Sequence, residues 1–389
     1  MAGTGTTSPL PAEAGAMPVL DDPPLRVSTL ELFFDLVFVF AITQLTGLLA
    51  HNDVAPADAL KVLVIFGVMW WMYGGYAWLT NTRIPSQAPE RVLLLLGMAG
   101  FLIVGLAIPG AFSSRRDGLA LGVGYVLVVA VHGVLYQRVN RNILRVVPFN
   151  VAAAALVIVA GLAGGAAAYP LWAVALAGPV ISPLIVKPHG RFAITPSHFV
   201  ERHGALVIVV LGESVADIGI GASGHELTPE TIAEAVLGLA LAAALWWAFF
   251  GGGDDERAEA AFVRADPAIR PALALNAYWY AYIPLLLGVV AVAAGIKVAG
   301  EPRHQGGGLP WRPSLALGGG VALFLAGDVW FRHALRIGFR HYRAVTAVLA
   351  VAASATGLVS SALEVALLAA LVGAMLMAES RAAIDTVEP

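Results

Sequence analysis

Long apolar stretches, each closed by a charged or Pro/Gly-rich segment, dominate this 389-residue chain. A run of about 18 or more apolar residues is long enough to cross the ~30 Å hydrocarbon core of a bilayer as a helix. The pattern predicts about twelve spans, near 30–50, 57–79, 90–110, 118–138, 143–165, 168–186, 198–221, 229–250, 270–297, 313–335, 342–360 and 361–380. The composition agrees: 59% of residues are hydrophobic and 13% charged, against about 25% charged in a soluble domain. The expected fold class is therefore an all-α integral membrane protein, with the lipid bilayer as its solvent and first partner.

Orientation follows from the basic residues. With the N-terminus inside and twelve crossings, 17 of the 23 Lys and Arg fall in cytoplasmic segments, which is the sense of the positive-inside rule. The expected location is a bacterial inner membrane, with both termini cytoplasmic. Residues 1–28 lack a basic segment followed by an apolar one, so they read as a disordered cytoplasmic tail and not a cleaved signal.

Ordered markers recur in the two halves. Glu31 and Glu201 each open an apolar helix, and Trp70-Trp71 and Trp246-Trp247 fall in the second helix of each half. LLLG at 94–97 and 285–288 and LALG at 119–122 and 315–318 follow in the same order. An even number of helices per copy gives parallel repeats about an axis along the membrane normal. The expected organisation is a first six-helix repeat over 29–187, a linker over 188–197, a second repeat over 198–380 and a C-terminal tail over 381–389.

Intramembrane charge is where function is sought, because each such group costs about 2.5–3.5 kcal/mol on insertion scales. Glu31 and Asp35 are i, i+4 and share a helix face. They read either as an entry point for a cation or proton, or as a helix cap and an ion pair to an Arg of a neighbouring span. Glu213 lies about 18 Å along its helix from Glu201, with Asp217 a turn further on. His132 and Asp328, each isolated in apolar surroundings, are candidate partners for Asp35 or Glu213. His198, Glu201, Arg202 and His203 form a polar cluster at the start of the seventh span. His203 is about 140° around the helix from His198 and no HExxH is present, so ion pairing is expected and no metal. Asn150, Asn276 and Glu364 read as interhelical hydrogen-bond partners, the Trp pairs and Trp279 as interfacial belts and packing, and Asp254-Asp255-Glu256 as a solvated loop.

Some chemistries are excluded. Without cysteine there is no disulfide, thiolate ligand or thiol nucleophile. A net charge of −3 with no basic run leaves no nucleic-acid surface. Neither a GxSxG elbow nor a phosphate loop is present, so no enzyme activity and no cofactor are expected.

Two motifs carry a family resemblance. Leu30–Thr46 (LELFFDLVFVFAITQLT) and His198–Asp217 (HFVERHGALVIVVLGESVAD) resemble the signatures of the bacterial low temperature requirement A membrane-protein family. The resemblance implies a multi-pass membrane protein, with Glu31, Phe34, Asp35, Glu201, Arg202, Gly212, Glu213 and Ser214 as signature positions. Many relatives carry a histidine before the proline of span nine; here Tyr282 and Ile283 precede Pro284. The expected function is a transporter or channel for a small ion or solute that uses the intramembrane acids. The alternative is a structural or sensory membrane protein whose acids form interhelical ion pairs.

Overall fold

The computed structural model describes residues 26–83, 85–139, 141–185, 194–222, 228–301, 304 and 307–385. Residues 1–25 and 386–389 of the expected tails, most of the expected 188–197 linker, and the Asp217 side chain lie outside the described set. Among the described residues all regular structure is helical. The helices are α1 (Thr29–Ala50), α2 (Pro56–Thr82), α3 (Ala88–Ala107), α4 (Arg115–Gln137), α5 (Val147–Ala163), α6 (Gly165–Ile185) and α7 (Pro196–Ala222). They continue as α8 (Pro229–Phe250), α9 (Asp254–Arg264), α10 (Arg270–Ala274), α11 (Tyr282–Ala299), α12 (Trp311–Leu335), α13 (His341–Gly357) and α14 (Ser361–Asp385).

Nine helical stretches among the described residues are long and apolar enough to cross a membrane. Length and composition thus give nine candidate spans among the described residues, three short of the twelve expected. The helices α5 and α13 have only 17 residues each, and α7 carries Glu201, Arg202 and Glu213 along its 27.

Local chemistry sets the boundaries. Ser28 caps α1 and Glu31 returns the bond to the Ser28 amide, a capping box that satisfies the first free N–H groups. Proline at the first or second position starts α2, α3, α5 and α8, where its missing N–H costs no bond. Pro284 has no N–H to return to the preceding turn, and just before it Leu275–Tyr280 open into a π-helical segment between α10 and α11.

In the packing α1 is central, against α2, α3, α7 and α11. In the first half α3 packs on α4, α4 on α5, α5 on α6, and α2 on α6. In the second half α11 packs on α12, α12 on α13, α13 on α14, and α8 on α14. Small residues allow these approaches: a Cβ on Gly100 would meet the Gly124 carbonyl, and one on Gly288 would meet the Gly320 carbonyl.

The two Trp pairs divide between the packing and belt roles expected of them, and one expectation fails. Trp70 and Trp71 do not form a belt: both are buried, and the Trp70 indole N–H donates to the Trp279 carbonyl at 2.9 Å. In the second half Trp246 and Trp247 are exposed. Asp254-Asp255-Glu256 is not a loop but the first turn of α9, with Asp254 buried. Carboxylates at that turn face the free N–H groups of a helix start, while Ala258 and Phe262 anchor the helix.

Candidate functional site

The first turns of α1 and α7 and the last turns of α2 meet at one end of the bundle. Glu31 Oε1 accepts from Arg202 Nη1 at 2.6 Å, and its Oε2 faces His198 Nε2 at 3.2 Å. One turn along the same face, Asp35 Oδ1 accepts from the Tyr73 hydroxyl at 2.8 Å and from Arg202 Nη2 at 3.3 Å. Arg202 also donates to the Thr80 hydroxyl, and its guanidinium lies 5.8 Å from the ring centres of Phe34 and Tyr73. Glu31 and Asp35 are 0% exposed, and Arg202 and His198 are equally sealed.

The protonation of His198 follows from its neighbours. The Thr195 amide donates to Asn81 Oδ1 at 3.0 Å, which fixes the orientation of that side-chain amide. Asn81 Nδ2, a donor, then faces His198 Nδ1 at 3.2 Å, so Nδ1 accepts. The proton sits on Nε2 and is donated to Glu31, and the imidazole is neutral. Two carboxylates therefore share one guanidinium, and with both ionised the sealed cluster would carry one uncompensated negative charge. Asp35 Oδ2 and Arg202 Nε are buried without a hydrogen-bond partner, which marks where the network is unfinished.

The remaining sequence candidates lie elsewhere. Glu201 is exposed and accepts from the Val27 amide at 3.3 Å. His203 turns to the opposite face, bonding the Phe199 carbonyl at 2.8 Å and packing on Tyr278 and Tyr282. Glu213 is half-buried, and no described residue pairs with it. Ser214 only bonds back to the Val210 carbonyl, and a Cβ on Gly212 would meet nothing within 4 Å, so no helix closes on Glu213 through that glycine. His132 and Asp328 do not serve Asp35 or Glu213. The His132 ring packs against Gly75 and Tyr76, and Asp328 belongs to a second network.

In that second network Asp328 Oδ2 accepts from Arg332 Nε at 3.0 Å and from Arg343 Nη1 at 2.6 Å. Arg332 reaches Asp254 of α9, and Arg343 holds both oxygens of Glu379 at 2.9 and 2.8 Å. The i, i+4 spacing of Asp328 and Arg332 was the available sequence signal; Asp254, Arg343 and Glu379 gave none. Asn150 and Asn276 accept from Trp71 and Trp330, and Glu364 accepts from Ser314. Asp53, Glu301 and His304 also converge, within 4.8 Å of one another. His304 Nε2 lies 3.9 Å from Asp53 Oδ1 in this group.

The family model described as "Bacterial low temperature requirement A protein (LtrA)" matches residues 26–378. An uncharacterized protein of Rhizobium meliloti (strain 1021) is 28% identical over 327 residues, covering 79% of this chain and 77% of its own length. The match contains both acid-bearing helices, α1 and α7.

Proposed function

The chain belongs to the bacterial low temperature requirement A family, and from that premise we propose that it is a membrane transporter or channel for a small ion or solute, working through the acids of α1. The observation that carries the reading is the unfinished charge cluster. Glu31 and Asp35 face a single Arg202 beside a neutral His198, and Asp35 Oδ2 is unpartnered. One proton or one monovalent cation at Asp35 balances the site. A sealed charge kept unbalanced is costly, and a site that gains and loses one positive charge gives that cost a use.

The likeness between the halves supports the reading. In each half the third helix packs on the fourth, the fourth on the fifth, the fifth on the sixth, and the second on the sixth. His132 and Asp328 differ by the same 196 residues as the two LALG segments. The cluster joins the first helix of one half to the first helix of the other, where a rocking motion of parallel repeats would open or close a path.

The test is flux in proteoliposomes over a panel of protons and monovalent cations, wild type against Asp35→Asn. Arg202 keeps its 2.6 Å pair with Glu31 in that variant, so the protein should fold with near wild-type thermal stability and lose flux. A folded Asp35→Asn protein that transports as well as wild type overturns the proposal. Full burial favours a second reading, a structural or sensory protein whose acids bolt helices together; absence of flux for every ion tested would favour it.

The positive-inside count over the twelve expected spans supports a cytoplasmic location for both networks at an inner membrane. Reporter fusions after residues 260 and 338 should both report cytoplasm. A periplasmic signal at either position refutes this orientation.

A further inference from the structure

Among the described residues one buried acid outside both networks has no basic partner. Glu364 sits in the first turn of α14 and is 0% exposed. No described Lys, Arg or His pairs with it. Its Oε2 accepts from the Ser314 hydroxyl of α12 at 2.8 Å, and Ser314 also reaches the Ser354 carbonyl of α13. Two oxygens here have no partner: Glu364 Oε1 and Ser354 Oγ, both buried. The donor set is thus a carboxylate, two hydroxyls and a backbone carbonyl, all oxygen, on three helices.

The backbone is shaped around this group. A Cβ on Gly357 would collide with Glu364 Oε2 and Ser314 Oγ, and one on Gly318 would collide with Ser354 Oγ and the Ala350 carbonyl. Glycine at both positions lets these oxygens gather against the backbone. The negative end of α13 and the positive end of α14 meet beside the carboxylate, and their partial charges offset one another. No described cation faces Glu364, and a buried carboxylate either keeps its proton or takes up a counter-charge.

We propose that Glu364, Ser314 and Ser354 form a binding site for a dehydrated monovalent cation of the sodium class. A single carboxylate matches a single positive charge, whereas a divalent ion would leave one charge over. Oxygen-only donors exclude the softer metals. Carbonyls at helix C-terminal ends beside a carboxylate suit Na+ in membrane proteins. The loop above the site reaches it from the side opposite the two charge networks: the Leu309 amide donates to the Gly357 carbonyl at 2.7 Å and the Ser361 amide to the Gly307 carbonyl at 3.2 Å. The cation would therefore enter from that side. Cation binding here is independent of any transport through the acids of α1.

The test is thermal unfolding of the full chain in detergent, with NaCl replaced by choline chloride at constant ionic strength. Ligand that binds only the native state stabilises it by mass action. Wild type should gain several degrees with a saturable dependence on Na+, and Glu364→Gln should show no Na+ dependence. Ser354→Ala, which removes one ligand and leaves the carboxylate, should need at least several-fold more Na+ for half the shift. It keeps the test usable if Glu364→Gln fails to fold. A wild-type protein indifferent to Na+, or a Ser354→Ala protein with an unchanged Na+ midpoint, overturns the proposal and leaves Glu364 a protonated hydrogen-bond partner.

Discussion

Arg202→Met should cost about 3–5 kcal/mol of stability, the range for removing one member of a buried ion pair. The variant leaves Glu31 and Asp35, both fully buried, with no cation between them. A native domain holds only about 5–15 kcal/mol in total, so the yield of monodisperse protein in detergent should fall sharply. Arg202→Lys should rescue little. An ammonium is a point charge, and the fork of Arg202 serves Glu31, Asp35 and Thr80 at once. Adding Asp35→Asn and Glu31→Gln to Arg202→Met should restore much of the loss, because the uncompensated charges go with the arginine. A size-exclusion profile and thermal midpoint for Arg202→Met alone that match wild type would refute the pairing.

The contrast between Arg202 and its neighbours shows what was legible in the sequence. Helical spacing alone places Glu31 and Asp35 on one face and His203 on a different face from His198, and both placements hold. Spacing within a helix does not say which helices abut. Arg202 lies 171 residues from Glu31, and only the packing of α1 against α7 makes it the partner in place of His132 or Asp328. Composition misleads at Asp254. Three consecutive acids read as solvated, yet α9 turns the first of them inward against Arg332. At Trp70 composition leaves belt and packing both open, and the indole stacks on Tyr73 and Tyr282 in the core. The charge pattern finds each acid because an isolated charge in an apolar run is conspicuous. It cannot find its basic partner when that partner already looks like an ordinary cytoplasmic arginine.

Arg343 is such a partner, and its loss should rival that of Arg202. Its guanidinium binds both oxygens of Glu379 on α14, Asp328 on α12, and the Ala248 carbonyl on α8 at 2.6 Å. Bidentate pairing adds both energy and geometry. In Arg343→Gln, Glu379 would lose its cation, and Asp254 and Asp328 would keep only Arg332 and the exposed Arg257. The expected cost is again about 3–5 kcal/mol, and it should fall on the attachment of α13 and α14. Limited proteolysis should then release a C-terminal fragment before the rest of the chain is cut. Arg257 supplies the control: it also pairs with Asp254, at 3.3 Å, but its side chain is 52% exposed. Arg257→Gln should therefore change stability by no more than about 1 kcal/mol. Glu379→Gln introduced with Arg343→Gln should recover part of the loss and delay fragment release. Equal thermal midpoints for Arg343→Gln and Arg257→Gln would mean that the second network is solvated, and that α13 and α14 are held by apolar packing alone.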